Sequence, residues 1–238
     1  MSTPRPGSGF GDPPLMIDRA TTRDRILDAS RRLFNERGYT ATTLAEIAAS
    51  IGIAQGNLTY HFPTKRELVV ELEKRVRQRA RAKRANYRHG TVADDYVELL
   101  LFAMNHTWEN RFLLRDHAQF TNDPNALRLD PDMAADLEVL HELLRRMNKE
   151  AMFRRDLRVD LRVLSRSLWI VSRFWMDHLR EAEGLEQVTW ADQERGLQHH
   201  FAVLLPCLTA SARRGLESAV LRLSSRLAIK EEEKSRYG

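Results

Sequence analysis

The stretch from Thr43 to Phe62, TLAEIAASIGIAQGNLTYHF, constrains the fold more than any other part of this chain. Apolar residues recur there at the spacing of one helix face, at Leu44, Ile47, Ala48 and Ile51. Thr43 with Glu46 three residues later forms a capping-box pattern, which predicts where this short helix begins. Gly52 predicts its end. Since a second short helix, Gln55 to Tyr60, follows at once, the stretch predicts a helix–turn–helix.

The second of these helices has an unusually polar surface. It carries Gln, Asn, Thr and Tyr side chains, and Leu58 is its one residue expected to point inward. Gln and Asn amides can make paired hydrogen bonds to adenine, and hydroxyl groups can contact bases or phosphates. We therefore interpret Gln55 to Tyr60 as a DNA recognition helix.

The distribution of charge points to the same kind of partner. Residues 19–90 hold sixteen Lys and Arg against seven Asp and Glu, a net +9, so the other residues carry −4 of the overall +5. A basic N-terminal third on a mildly acidic remainder indicates a polyanion partner for that third. An arginine-favouring genome is the alternative explanation, but it accounts for Arg over Lys and not for the location of the excess.

The composition excludes several classes of protein. The chain has no run of about eighteen apolar residues, so no membrane span is expected. No apolar signal-peptide segment is recognisable near the N-terminus. The single cysteine, Cys207, rules out an internal disulfide and fits a reducing cytoplasm, where it is interpreted as a small buried apolar residue.

The whole chain is predicted to be all-α, because helical periodicity recurs throughout and no alternating strand pattern is present. Phe112 to Phe120 is expected to be one helix, and Pro206 is expected to kink a helix near Ala202. The predicted organisation is a disordered arm (1–18), a helix–turn–helix domain of three helices (19–64), a basic linking helix (65–90), a larger helical domain (91–215) and a terminal amphipathic helix with a charged tail (216–238).

The linking helix carries eight basic residues and no acidic one between Lys74 and Arg88. Two interpretations stay open for this run. It is either a solvated helix face or a surface that contacts phosphates.

The order of these elements, and a set of spaced residues from Thr22 to about Val76, resemble the TetR family of bacterial transcriptional regulators. The residues that carry the resemblance are Ile26-Leu27-Asp28-Ala29, Leu33-Phe34, Gly38-Tyr39, Thr43-Leu44-Ala45-Glu46-Ile47-Ala48, Gly52-Ile53, Gly56-Asn57-Leu58, His61-Phe62, Lys65 and Leu68. The larger domain resembles the family in helical content and length alone.

The resemblance implies a cytoplasmic, nucleoid-associated homodimer that binds a palindromic operator in double-stranded DNA, usually as a repressor. The implied phosphate contacts come from Thr43, Lys65, Tyr60 and His61. The implied contacts with base edges come from Gln55, Asn57 and Thr59. Gly56 is implied to allow the helix to approach the duplex closely. Two residues depart from the family pattern. Ala54 stands where a Ser or Thr usually caps the recognition helix, and Thr59 stands where Tyr is common, so Tyr60 is the alternative for that contact. For His61 a half-buried structural role is the equal alternative.

The resemblance also implies a small-molecule effector site and a dimer interface in the larger domain. Aromatic residues are the candidates for the effector site, although aromatic residues at helical spacing more often form plain core: Phe102, Trp108, Phe112, Phe120, Trp169 and Phe174. The expected dimer interface consists of two helices whose apolar seams include Leu161, Leu168, Trp175, Leu197, Phe201, Leu204 and Leu208.

An enzyme is disfavoured. His141-Glu142 lacks the second histidine of a zincin motif, because position 145 is Arg. His199 and His200 are adjacent and so point to different helix faces, and no glycine-rich phosphate loop is present. No cofactor or metal is expected. The second alternative is an architectural DNA-binding protein whose C-terminal domain binds a protein partner through a Leu216–Leu227 seam.

Overall fold

The computed structural model describes residues 21–120 and 131–237, with all side chains in these ranges except those of Pro131, Trp190, Gln193 and residues 224–237. The predicted arm at 1–18 lies outside the described residues. Within the described ranges the chain is helical and has no β-strand, as predicted. The helices are α1 (Thr22–Arg37), α2 (Leu44–Ser50), α3 (Gln55–His61), α4 (Lys65–Ala85), α5 (Val92–Glu109), α6 (Phe112–Arg115), α7 (His117–Phe120), α8 (Pro131–Lys149), α9 (Leu161–Glu181), α10 (Trp190–Leu204) and α11 (Ala210–Tyr237). None of the described helices is long and apolar enough to cross a membrane.

The first three helices and the start of α4 share one core. Its fully buried residues include Phe34 on α1, Ile47 on α2, Leu58 on α3 and Leu68 on α4. Hydroxyl caps fix the helix starts: Thr21, Thr43 and Thr64 each accept a bond from the backbone N–H three residues later. Because each cap satisfies an otherwise unpaired N–H, these local sequences define the helix boundaries.

The larger domain is built around α5. Tyr96, Val97 and Leu100 of that helix are buried among α8, α9, α10 and α11. Leu216 and Ala219 of α11 are buried in the same core. The Leu216–Leu227 seam was expected to be an exposed surface for a protein partner. This expectation is wrong for Leu216, which is 1% exposed. The side chain of Leu227 is not among those that the structure describes.

Three helix ends differ from the sequence expectation. The segment 112–120 forms two short helices, because the buried Asp116 between them accepts a bond from the Tyr39 N–H (2.8 Å) and pairs with Arg115 (2.8 Å). Pro206 does not kink α10; the helix ends at Leu204 and a 3₁₀ turn, Leu205–Cys207, follows. The last helix begins at Ala210, so the expected boundary between 215 and 216 falls inside α11.

The basic stretch of α4 joins the two domains. Arg75 pairs with Asp24 of α1 (2.5 Å), Arg79 with Glu109 of α5 (2.5 Å) and Lys83 with Glu98 of α5. Arg81 and Arg84 both bind Asp132 of α8. Most side chains of the basic run therefore form ion pairs with acidic residues of the neighbouring helices. They are neither an unpaired solvated face nor a free surface for phosphate groups.

A second contact between the domains lies at the end of α1. The Asn35 side chain donates to the Glu109 carbonyl (2.7 Å) and accepts from the Phe112 N–H (3.1 Å). Arg115 donates to the carbonyls of Asn35 (3.1 Å) and Phe34 (2.5 Å). The carbonyl groups of Glu109 and Asn35 are among those that a helix leaves unpaired at its C-terminus, and these bonds satisfy them. They fix the orientation of the small domain relative to α5 and α6.

Candidate functional site

The outer face of α3 carries exposed polar side chains. Gln55, Gly56 and Asn57 are exposed, and Leu58 on the opposite face is fully buried. Tyr60 is 84% exposed and stands edge-on to the His61 ring at 5.4 Å. The division of α3 into one buried anchor and a polar outer face is as predicted, and this face is available to a partner molecule.

Gly56 lies on the exposed side of this helix. A Cβ added there meets no atom of the chain within 4 Å, and its φ is not positive. The protomer itself therefore does not require glycine at this position. A glycine on a helix costs up to about 1 kcal/mol relative to alanine, which fits a position that an external molecule must approach closely.

The start of α3 lacks a side-chain cap. Ala54 occupies the N-cap position and makes no capping hydrogen bond. A Ser or Thr at this position would accept a hydrogen bond from an N–H group of the first turn. The methyl group of Ala54 cannot accept one, so this N–H group has no side-chain partner.

Thr59 and Thr43 both use their hydroxyl protons inside the chain. The Thr59 Oγ1 lies 3.2 Å from the Gln55 carbonyl and 3.1 Å from the Gly56 carbonyl. The Thr43 Oγ1 donates to Glu46 (2.8 Å) and accepts from its N–H (3.2 Å). The bonds from Thr43 lower the pKa of the Glu46 carboxyl. Either hydroxyl must release an internal acceptor before it can donate to DNA.

Lys65 binds carbonyl groups of the protomer itself. Its Nζ lies 2.8 Å from the Tyr39 carbonyl, 2.7 Å from the Thr42 carbonyl and 3.4 Å from the Thr40 carbonyl, above the Tyr39 ring at 4.5 Å. An ammonium group has three N–H donors, and all three are directed to these carbonyls. In the free protomer Lys65 therefore holds the loop that leads into α2, and its contact with the DNA backbone stays a prediction.

The larger domain contains a cavity of about 170 Å³ between α4, α5, α8, α9 and α10. This is roughly ten times the space that one water molecule requires. Apolar side chains form most of its wall, among them Leu100, Met104, Leu140 and Trp169, and α4 contributes Ala80 and Arg84. This space can accommodate part or all of a small organic molecule.

Two of the six aromatic candidates, Phe102 and Trp169, line this cavity. The other four do not, which corrects their assignment. Phe112 is fully buried in the core of the small domain and packs on Phe34 at 5.3 Å, and Phe120 packs on the same core. Trp108 lies under the Arg111 guanidinium at 4.3 Å, and Phe174 is 43% exposed.

The sequence reasoning missed the polar group of the cavity. The Tyr96 hydroxyl lies 2.6 Å from His200 Nε2, and the Ser172 Oγ lies 2.8 Å from His200 Nδ1. These residues come from three helices and are 76 and 28 positions apart, so no local sequence pattern connects them. Burial lowers the pKa of His200 to about 4 and raises the pKa of Tyr96. Both side chains are therefore neutral at pH 7.

The Ser172 Oγ and His200 Nδ1 lie at hydrogen-bond distance, and the tautomer of the His200 ring decides which of the two atoms donates. Within the described ranges, no three His, Cys, Asp or Glu side chains are grouped as metal ligands.

The expected dimer residues face the interior of the protomer. Leu168, Leu204 and Leu208 are completely buried, and Trp175 is 8% exposed against Gly196 of α10. Leu161, Leu197 and Phe201 are partly buried against the same core. The four buried side chains, those of Leu168, Trp175, Leu204 and Leu208, are not available to a second subunit, which corrects their assignment to a dimer interface. For Leu161, Leu197 and Phe201 the assignment stays a prediction. The opposite face of α9 and α10 exposes large apolar residues instead: Val163 (62%), Ile170 (48%), Phe174 (43%) and Val203 (36%).

Comparison with known proteins agrees with this architecture. Residues 26–72 match the family model of bacterial regulatory proteins of the tetR family, and residues 71–216 match a model described as a bacterial transcriptional repressor. A TetR-family transcriptional regulator from Marinobacter aquaeolei VT8 has a similar structure, with a TM-score of 0.67 and 25% identity over 84% of this chain and 97% of that one.

Two curated regulators match a short part of this chain. The HTH-type transcriptional regulator AcrR of Shigella flexneri is 41% identical over 51 residues, 21% of this chain and 24% of that protein. The negative transcriptional regulator of the biofilm operon icaADBC, IcaR of Staphylococcus aureus (strain Newman), is 44% identical over 46 residues, 19% of this chain and 25% of that protein. The chain thus spans about a quarter of the length of these curated relatives. The two family models together cover most of the described chain, and the protein belongs to the TetR family of bacterial transcriptional regulators.

Proposed function

We propose that this protein is a transcriptional repressor that binds a palindromic operator as a homodimer and is released by a small molecule. The exposed polar face of α3 supports this function most directly, because Gln55 and Asn57 stand free on a helix anchored from behind by Leu58. Phosphate contacts would give most of the affinity, and these side chains would select the sequence. The protein then acts in the cytoplasm, on the bacterial nucleoid.

The exposed apolar face of α9 and α10 supports the homodimer. Val163, Ile170 and Phe174 follow one another in steps of seven and four, so they lie on one side of α9. A two-fold axis through this face pairs α9 and α10 with their copies in a four-helix arrangement. The two recognition helices are then related by the same axis, and a two-fold protein requires a palindromic site.

Helix α4 connects the cavity to the helix–turn–helix domain. Ala80 and Arg84 of α4 line the cavity directly. His106 of α5, which also lines it, donates from Nε2 to the Val76 carbonyl of α4 at 3.0 Å. A ligand that prefers one position of α4 therefore shifts the population of DNA-competent dimers.

The alternative of an architectural DNA-binding protein is not favoured. It rested on the Leu216–Leu227 seam as an exposed surface, and Leu216 is buried. The cavity has no role in that alternative.

Footprinting of the purified protein on the DNA upstream of its own gene tests the proposal. We expect protection of a palindrome at moderate salt. Asn57→Ala should relax the sequence preference, because it removes a base-reading amide, whereas Gln78→Ala, an exposed position on α4, serves as the control. Equal binding to many unrelated duplexes by the wild-type protein would overturn the proposal.

A further inference from the structure

The outward face of α9 carries charges of opposite sign at its two ends. Residues that are exposed or half-buried follow one another along this face in steps of three and four, which places them on one side of the helix: Val163, Arg166, Ile170, Phe174, Asp177 and Glu181. Arg162 lies one turn before Arg166 and is also exposed. The face is therefore basic in its N-terminal half and acidic in its C-terminal half, with apolar residues between.

These charges have no ion-pair partner in the protomer. Within the described part of the chain, the side chains of Arg162, Arg166 and Glu181 form no hydrogen bond and no ion pair. The two acidic residues that precede α9 do not compensate the arginines. Asp160 caps the helix by accepting from the backbone N–H of Arg162 at 2.8 Å, and Asp156 pairs with a neighbouring arginine of its own loop. The charges on this face of α9 are therefore available to a partner molecule.

Asp177 is the most constrained of these groups. Its carboxyl is half-buried, and burial raises its pKa although the charges of Arg173 and Arg180 oppose this effect. No hydrogen bond or ion pair of Asp177 occurs among the described residues. A half-buried carboxylate without a hydrogen-bond donor is unfavourable, and a guanidinium group from outside the protomer would stabilise it.

The charged residues are arranged symmetrically about one level of the helix. Arg166 and Asp177 are equally distant along α9 from the point between Val171 and Ser172. The second arginine and the second carboxylate share this midpoint, and the exposed apolar residues stand on either side of it. A two-fold axis that crosses α9 at this level makes two copies of the helix antiparallel and brings each basic residue opposite an acidic one. In a parallel pair each charge would instead face its own copy and be repelled.

We propose that the partner of this face is α9 of a second copy of the chain, in antiparallel orientation, with Arg166 of each subunit opposite Asp177 of the other and Arg162 opposite Glu181. The apolar residues supply contact area, and the charges select the orientation and the partner. This inference rests on the proposed homodimer and names the arrangement of its interface. A related chain with a different order of charges on this helix would be rejected by repulsion.

Charge reversal on α9 tests the proposal. Arg162→Glu/Arg166→Glu makes both ends of the face acidic, and Asp177→Lys/Glu181→Lys makes both ends basic. Each variant should dimerise about ten-fold more weakly than the wild-type protein in analytical ultracentrifugation at low salt, because each ion pair across the axis is replaced by repulsion. Salt at about 0.5 M should remove most of this difference.

A control variant and a mixing experiment complete the test. Arg32→Glu/Arg214→Glu reverses two exposed arginines on α1 and α11, so it changes the net charge equally and should leave the dimer as strong as in the wild-type protein. Native mass spectrometry of an equimolar mixture of the two α9 variants should show mainly the heterodimer, since every ion pair is restored in it. This heterodimer also shows that both variants are folded.

The outcomes separate the orientation from the dimer itself. A parallel pair would leave both α9 variants as strongly dimeric as the wild-type protein, because like charges face each other in all three, and this result would overturn the proposal. A statistical mixture of homodimers and heterodimers would overturn it as well. If the half-buried Asp177 does not tolerate lysine, the fully exposed pair, Arg162→Glu and Glu181→Arg, repeats the test in milder form. A monomeric wild-type protein would contradict the homodimer of the proposed function.

Discussion

The ammonium group of Lys65 lies 2.7 Å from the carbonyl oxygen of Thr42, at the start of the helix–turn–helix. It also binds the carbonyls of Tyr39 and Thr40, and burial among them lowers the pKa of the Lys65 side chain. The loop from α1 to α2 is therefore held by the first residue of α4. The position of α2 and α3 depends on this bond as well as on their own core.

Lys65→Met keeps the aliphatic stem over Tyr39 and removes the donors. We expect a loss of about 1–2 kcal/mol in the free energy of unfolding, because three carbonyls lose a charged partner. DNA affinity should fall through misplacement of α2, with an unchanged dependence on salt. A lost phosphate contact would instead lower the salt slope by about 1. Arg66→Ala, at the exposed neighbouring position, is the control for both measurements.

The contact between Trp175 and Gly196 gives a second prediction. A Cβ at Gly196 would lie 2.6 Å from Trp175 Cδ1, so α9 and α10 cannot keep their spacing with a larger residue. Gly196→Ala should cost about 1–3 kcal/mol in thermal or denaturant unfolding. Gly215→Ala on α11 meets no atom within 4 Å and should be neutral or stabilise by up to about 1 kcal/mol. Equal effects of the two substitutions would contradict the tight helix contact.

The exposed apolar face of α9 predicts the oligomeric state. Ile170→Asp should convert the dimer to a monomer in sedimentation velocity experiments, because a carboxylate would be buried at the two-fold axis. Leu221 on α11 lies outside this face, and its side chain is 71% exposed, compared with 48% for Ile170. Leu221→Asp should therefore leave the dimer intact. The opposite pattern would place the interface on α11.

The buried His200 predicts a dependence of stability on pH. Its pKa is lowered to about 4 in the folded state, chiefly by burial, from an ordinary value of 6.5. The unfolded chain therefore binds a proton more readily, so this stabilisation is complete above about pH 6.5 and is lost as the pH falls towards 4. At pH 5 the loss amounts to about 2 kcal/mol.

Unfolding of wild-type protein and His200→Gln at pH 7 and pH 5 measures this contribution. The variant lacks the titrating ring, so the wild-type protein should lose about 2 kcal/mol more than the variant between the two pH values. The comparison removes the effect of the carboxyl groups, which titrate in both proteins. A parallel loss in both would show that His200 does not titrate in this range.

Local patterns in the sequence were sufficient to predict the helix–turn–helix domain. The capping box at Thr43, the side-chain cap at Thr64, the apolar spacing of α2 and the polar surface of α3 all depend on residues within a few positions of one another. Such patterns act through hydrogen bonds and side-chain periodicity that the chain carries in any context. The helix–turn–helix, its boundaries and the all-α class were predictable for that reason.

The larger domain was predictable in class but not in detail. An apolar seam on α9 identifies a buried face, but its spacing does not say whether the partner is another helix of the same chain or a second subunit. The buried positions of Leu168 and Trp175 show that the seam belongs to the protomer, and the exposed Ile170 marks the other face. The aromatic candidates for the effector site show the same limit. Phe112 and Trp169 both occur at helical spacing in the sequence, but Phe112 packs in the core of the small domain and Trp169 lines the cavity.

The sequence by itself determined that Thr43 to Phe62 forms a helix–turn–helix with a polar second helix, because every group that fixes it is local. Tertiary structure alone decided what Lys65 and the basic run of α4 bind, and it brought Tyr96, Ser172 and His200 together. Those contacts join residues tens of positions apart. Their partners are selected by the packing of whole helices, and helix periodicity contains no information about which faces meet.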